Sequence, residues 1–212
     1  MTLAEAVLQF GLVAGLLTVI PGLDTALVLR STLARSRAYG LATTAGIQVG
    51  TLIWGVAAAT GAAALLAASQ SAYRVLTILG AAYMVWMGAS MLWKSFRRQD
   101  GAPTVVPGGP SSPKLHRGLT LGLATNLMNP KVGVFYIAMI PQFMPDGVSP
   151  LWMGLLLAAV HCAMGTAWSC SLVMGSGFFK DRLAGSAVRW TDRITGGVLI
   201  AFGARLALTP RA

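Results

Sequence analysis

Long apolar runs without a charged side chain dominate this chain of 212 residues. The four longest stretches that lack Asp, Glu, Lys and Arg are 6–23, 38–73, 75–93 and 147–179. A helix needs about 20 apolar residues to cross the hydrocarbon of a bilayer. We therefore predict an all-α, polytopic membrane protein with six transmembrane helices, placed at 4–33, 40–68, 72–95, 115–144, 148–179 and 187–209.

A loop rich in Pro, Gly and Ser, residues 98–114, separates the six predicted helices into two groups of three. The chain then consists of a first three-helix repeat over 1–97, the linker 98–114, and a second three-helix repeat over 115–212.

The two groups share a short sequence match. Segment Gly11–Thr18 aligns with Gly118–Thr125 at an offset of 107 residues, with Gly, Leu, Gly, Leu and Thr in common. Two copies of three helices have opposite orientations in the membrane, as in the inverted repeats of many secondary transporters. The alternative is chance similarity between Gly- and Leu-rich helices.

Each matched segment runs into a helix breaker, Pro21-Gly22 in the first half and Asn129-Pro130 in the second. Proline within a helix removes a hydrogen bond and clashes with the preceding turn, and Asn followed by Pro is typical of a helix start. We predict that the first and fourth helices are broken near the middle of the bilayer. Each restarted helix should present free N–H groups that suit a carboxylate.

A charge lies beside each break, and the offset of 107 makes Asp24 equivalent to Lys131. Charges at such depth are costly and are candidates for function. In this interpretation Lys131 or the helix ends hold the carboxylate of a substrate, and Asp24 holds its ammonium group or a coupling proton. The alternatives are a structural ion pair, or a lysine that reaches an interface.

Further polar residues accompany the breaks. Gln48 and Thr51 either line the same cavity or bond a neighbouring helix. Gly46 and Gly50 form a small-residue face that favours close helix packing. His161 is a packed histidine or a proton relay. The predicted substrate-binding set is Pro21, Gly22, Asp24, Gln48, Thr51, Asn126, Asn129, Pro130 and Lys131.

Composition supports the membrane assignment, since 55% of residues are hydrophobic, only 10% are charged, and the mean hydropathy is +0.68. The net charge of +10 comes from basic residues at the ends of apolar runs. It therefore indicates topology and anionic lipid contact, with no nucleic-acid partner. The basic bias places the odd-numbered connections, including 98–114, in the cytoplasm and both termini outside. The N-terminus lacks the basic region of a signal peptide, so we expect the first helix to be retained.

Enzyme chemistry has little support in the sequence. The two cysteines, Cys162 and Cys170, are too far apart along one helix for a disulfide. We find no His, Cys and carboxylate pattern with metal-ligand spacing and no phosphate-binding loop. We expect no cofactor, no bound metal and no enzymatic activity.

The motifs around both breaks resemble those of the LysE/RhtB family of amino-acid exporters. Residues 21–29 are similar to the family's Pro-Gly-Pro-Asn/Asp segment, 125–131 to its Asn-Pro-Lys motif, and 39–42, 46–50 and 141–143 follow where that family has similar residues. Two positions depart from the family pattern, because Leu23 replaces a proline and Thr51 stands where many members carry an acid.

The resemblance implies a secondary exporter of amino acids or related small metabolites in a bacterial-type cytoplasmic membrane. Its partners would be a small-molecule substrate, protons as the coupling ion and the lipid bilayer, and the sequence leaves a homo-oligomer open. The rival hypotheses are a metal or inorganic-ion exporter on a related fold and a passive small-metabolite channel.

Overall fold

The computed structural model describes residues 2–97, 114–145 and 147–178, together with 193, 194, 196, 197, 200, 201, 203 and 204. Within these ranges the regular structure is helical and contains no strand. Most of the predicted linker 98–114 and of the predicted sixth helix 187–209 lies outside the described residues.

The first predicted helix is two helices. Helix α1 spans Leu3–Val19, begins with a capping box between Thr2 and Glu5, and ends before Pro21. Helix α2 spans Leu23–Ala34. The two are bent by 50° at the break, so the predicted interruption is confirmed.

Two long helices follow without interruption. Helix α3 spans Arg37–Ala68 and is capped by the Ser36 side chain, which accepts from the Tyr39 N–H. Helix α4 spans Gln70–Arg97. Both match the predicted second and third helices within a few residues.

The fourth predicted helix is also broken. Helix α5 spans Leu115–Leu127, and helix α6 spans Pro130–Met139 and continues into a 3₁₀ turn at Ile140–Phe143. Helix α7 spans Pro150–Met174 and corresponds to the fifth predicted helix.

The number of membrane spans is defined only in part by helix length and composition. Among the residues that the structure describes, two helical segments, Arg37–Leu65 and Pro150–Met174, are long and apolar enough to cross a membrane, and α1 with α2 makes a third if the bent pair counts as one. Shorter apolar segments cover Ile78–Ser90 and Lys131–Phe143. The count of six spans therefore stays a prediction.

The outside of the bundle is apolar as well as the inside. Leu8, Leu12, Trp86 and Trp152 are each more than 60% exposed. Exposed large apolar side chains on several helices fit contact with lipid chains.

Glycines let α3 approach its neighbours closely. A Cβ at Gly46 would overlap the Leu119 carbonyl of α5, and one at Gly122 would overlap the Thr43 carbonyl of α3. On the other side, Gly55 of α3 and Gly154 of α7 face each other in the same way. Helices without a side chain at the contact can bring their backbones together in a membrane. The predicted packing role of Gly46 is confirmed.

Two apolar clusters flank the centre of the bundle. The larger one joins α1, α3, α6 and α7 and includes the rings of Phe10, Phe135, Tyr136 and Phe143. The smaller one consists of Val28, Ile47, Leu172 and Val173, with Trp168 packed against it.

Candidate functional site

A cavity of about 70 Å³ lies between the two broken helices and the middle parts of α3 and α7. Seven of the nine residues predicted to bind substrate line it: Gly22, Asp24, Gln48, Thr51, Asn126, Asn129 and Lys131. Pro21 and Pro130 do not line it; they occupy the breaks themselves, where they end one helix or start the next. The structure therefore brings seven of the nine residues together around one cavity, and their binding of a substrate stays a prediction.

Asp24 is connected to the other broken helix. It lies in the first turn of α2, and its Oδ2 accepts a hydrogen bond of 2.9 Å from Nδ2 of Asn126, near the end of α5. Asn126 is almost completely buried. Gly50 of α3 makes room for it, because a Cβ there would come within 2.6 Å of Asn126 Oδ1.

Lys131 makes the corresponding connection in the opposite direction. It lies in the first turn of α6, and its Nζ donates to the Leu17 carbonyl at 3.0 Å and the Ile20 carbonyl at 3.4 Å. These carbonyls end α1, where unpaired acceptors and the helix dipole favour a cation. The ammonium also lies close to Gly22, because a Cβ added to this glycine would come within 3.5 Å of Lys131 Nζ.

The two helix starts differ in their free N–H groups. At α6 the Asn129 Oδ1 accepts from the Lys131 N–H, its carbonyl accepts from Val132 and Gly133, and Pro130 has no N–H. The expectation of free amides at this break was wrong, because the predicted Asn129 cap already uses them. Helix α2 has Gly22 as its N-cap, and no side chain in the described part of the chain caps it, so its first amides remain available.

Two buried oxygens of residues that line the cavity have no hydrogen-bond donor in the described part of the chain. Within the described residues, Asp24 Oδ1 and Asn126 Oδ1 accept no hydrogen bond. Asn129 lies beside the Asp24 carboxyl but makes no bond of regular geometry to Oδ1. Buried polar atoms in native proteins are nearly always paired, so these two acceptors need a donor that the described residues do not supply.

The neighbouring helices supply further polar side chains. Gln48 and Thr51 of α3 line the cavity, the first of the two alternatives open from the sequence. The Gln48 amide packs against Gly165 of α7. His161 of α7 lines the cavity as well, and its Nδ1 lies 2.9 Å from the Tyr136 hydroxyl.

Sequence reasoning missed several residues of the site. Trp54 of α3 donates from Nε1 to the Asn126 carbonyl at 3.4 Å and packs over Gly133. It therefore supports the end of α5, and no motif in the sequence indicates this. The cavity wall also contains Thr18, Thr25, Ile47, Val132, Trp168 and Ser169. Their spacing along apolar helices does not distinguish them from residues that only pack, so the sequence did not indicate that they line a cavity.

The described residues contain no group of three His, Cys, Asp or Glu side chains that could hold a metal ion. The polar side chains that line the cavity instead carry one carboxylate, one ammonium, one imidazole, one indole, amides and hydroxyls. These are groups that bind a small charged organic molecule.

Comparison with known proteins identifies the family to which this chain belongs. A profile of the family described as LysE type translocator matches residues 16–209. The chain belongs to this family. The match includes both helix breaks and every charged residue of the cavity, so the charges lie within a membrane transporter fold.

Individual relatives cover almost the full chain. A leucine efflux protein of Enterobacter sp. (strain 638) is 28% identical over 196 residues, 90% of each chain. A threonine efflux protein of Salmonella typhi is 26% identical over 200 residues, 89% of this chain and 91% of the relative. The uncharacterized membrane protein YrhP of Bacillus subtilis (strain 168) is 28% identical over 201 residues, 93% and 96% of the two chains. No solved structure matches. The chain is thus a membrane transporter related to amino-acid efflux proteins.

Proposed function

We propose that this protein exports amino acids or closely related small metabolites from the cytoplasm, and that the cavity between the broken helices binds them. The observation that carries the proposal is the pair Asp24 and Lys131. Each is the second residue of a helix that begins after a break, and both line one cavity. An amino acid carries one positive and one negative charge, which this pair complements.

The ammonium group of the substrate fits beside Asp24. The unpartnered oxygens Asp24 Oδ1 and Asn126 Oδ1 would accept two of its N–H donors. The carboxylate fits near Lys131 and the uncapped first turn of α2, because an ammonium and free helix amides both favour an anion. The apolar side chain of the substrate would then contact Ile47, Val132 or Trp168.

The connections across the breaks support an inverted repeat. Lys131 of α6 bonds the end of α1, and Asp24 of α2 bonds a residue near the end of α5. The offset of 107 relates Asp24 to Lys131, and it places the equivalent of Asn126 at Val19, between the two residues of the α1 end that Lys131 bonds. In transporters built this way one repeat rocks against the other around a fixed central site.

Alternating access also accounts for the size of the cavity. About 70 Å³ is far below the roughly 300–1,000 Å³ typical of ligand pockets, so helices must separate to admit an amino acid. The smaller apolar cluster, Val28, Ile47, Leu172 and Val173, closes the side towards the Arg-rich connection after α2. Since that connection is predicted to be cytoplasmic, this cluster is our candidate for the cytoplasmic gate.

Protons are the coupling ion in this proposal. Thr51 is buried in the cavity wall at the position where the family resemblance implies an acid in many members. Asp24 is the carboxylate that lines the cavity, and it would carry the proton when no ammonium is bound.

The proposal is tested by uptake of an amino-acid panel, including leucine and threonine, into inverted membrane vesicles with and without an imposed proton gradient. We expect gradient-dependent accumulation of at least one amino acid. Accumulation that is equal with and without the gradient would support a channel instead, and no accumulation of any panel member would contradict export.

A further inference from the structure

A histidine–tyrosine pair borders the cavity and has no role in the contacts proposed so far. His161 of α7 lines the cavity, and its Nδ1 lies 2.9 Å from the hydroxyl of Tyr136 on α6. The two rings are stacked, with 18° between their planes. Phe10 and Phe135 pack against the imidazole from the side of the larger apolar cluster.

The burial of Tyr136 determines which nitrogen of the imidazole carries the proton. Tyr136 is fully buried, and His161 Nδ1 is the hydrogen-bond partner of its hydroxyl in the described part of the chain. A proton on Nδ1 would leave the hydroxyl proton buried without an acceptor, which is costly. The hydroxyl therefore donates to Nδ1, and the neutral ring carries its own proton on Nε2.

With Nδ1 bonded to Tyr136, Nε2–H is the polar group of the ring that is left to face the cavity. Lys131 lines the same cavity and is close enough to act electrostatically on the imidazole. A fixed neutral N–H donor beside an ammonium is a combination that binds a carboxylate, because the oxygen accepts from both. The Asp24 carboxyl accepts from Asn126 at Oδ2, and the proposed function assigns its other oxygen, Oδ1, to the substrate ammonium.

We propose that His161 is a second carboxylate-binding residue of the transport site, and that Tyr136 is the positioning residue that fixes its Nε2–H towards the substrate. This inference rests on the proposed function, since it assigns part of the same site. It gives the histidine a hydrogen-bonding role in its neutral form and assigns it no step in proton transport.

The test compares a transported amino acid, leucine first, with the amine that lacks only its carboxylate, isoamylamine for leucine. The apparent affinity of each is measured in vesicles, the amine as a competitor of amino-acid uptake. Replacing His161→Leu should lower the preference for the amino acid over the amine by about tenfold, the equivalent of one hydrogen bond to a charged group. Tyr136→Phe keeps the ring and its packing, so it should lower the preference by about threefold.

Two further variants separate binding from folding. His161→Gln retains an N–H donor and should recover part of the preference that His161→Leu loses. His116→Gln changes the exposed histidine at the start of α5 and should leave the preference unchanged. A loss of affinity for amino acid and amine by the same factor in Tyr136→Phe would overturn the inference, because it indicates a purely structural role.

The outcomes also distinguish the inference from the proposed function. Normal amino-acid uptake with an unchanged preference in both His161→Leu and Tyr136→Phe refutes the role of His161 and leaves export intact. No uptake of any panel member by the wild-type protein refutes export, and the carboxylate assignment with it.

Discussion

The close packing of Asn126 against Gly50 allows a quantitative prediction about what keeps Asn126 in place. A Cβ at this position would lie 2.6 Å from Asn126 Oδ1 and 3.0 Å from Asn126 Cβ, so Gly50→Ala must displace Asn126. Overpacking in a core costs about 1–3 kcal/mol. The displaced amide also loses its bond to the Asp24 carboxylate, worth about 1.5–3 kcal/mol. Alanine returns about 1 kcal/mol of helix propensity, which leaves a net loss of about 2–5 kcal/mol.

The matched control lies on the same helix. Gly61 of α3 has open space where its Cβ would be, so Gly61→Ala should be neutral or slightly stabilising. The assay is thermal unfolding of both purified variants in detergent, followed by amino-acid uptake in vesicles. We expect a clearly lowered midpoint and reduced uptake for Gly50→Ala alone. Equal midpoints and equal uptake in the two variants would refute the reasoning that Gly50 exists to seat Asn126.

Substitutions at three further positions test the neighbouring contacts. Asn129→Ala removes the cap of α6 and should destabilise the protein by about 0.5–2 kcal/mol, whereas Asn129→Ser should retain most of the stability; equal unfolding midpoints for the two would contradict the cap. Trp54→Phe keeps a six-membered aromatic ring but loses the 3.4 Å bond to the Asn126 carbonyl, so the free energy of unfolding should fall by about 0.5–1.5 kcal/mol. An unchanged midpoint counts against this contact. Phe135→Ala removes a ring from the larger apolar cluster and should lower the free energy of unfolding by about 3–5 kcal/mol. The measurement is thermal unfolding, and a decrease of less than about 1 kcal/mol would show that the cluster repacks.

The helices and their breaks could be predicted because each depends on local sequence. Apolar runs that are free of charge indicate membrane helices, and Pro21 and Pro130 cannot sit inside one without breaking it. Asn129 before Pro130 predicted a cap, and the cap is present. The equivalence of Asp24 and Lys131 followed from the repeat alone, and both lie second in their restarted helices.

The partners of these residues could not be predicted in the same way, because they depend on how distant helices pack. Nothing local indicates that Lys131 bonds the end of α1, or that Asn126 bonds Asp24 across 102 residues. Trp54 is likewise 72 residues away from Asn126, whose carbonyl it bonds at the end of α5. The free amides expected at α6 were wrong for a local reason that the sequence did contain, since a capping asparagine uses the groups it caps.

The central claim is that Asp24 and Lys131 bind the two charges of the transported molecule. The most direct measurement is uptake into inverted vesicles by Asp24→Asn and Lys131→Met, each matched to the wild-type protein in membrane amount and unfolding midpoint. The account predicts that both variants lose gradient-dependent uptake, because each removes one charge while keeping a side chain of similar size. Full uptake by both variants at wild-type expression would contradict it.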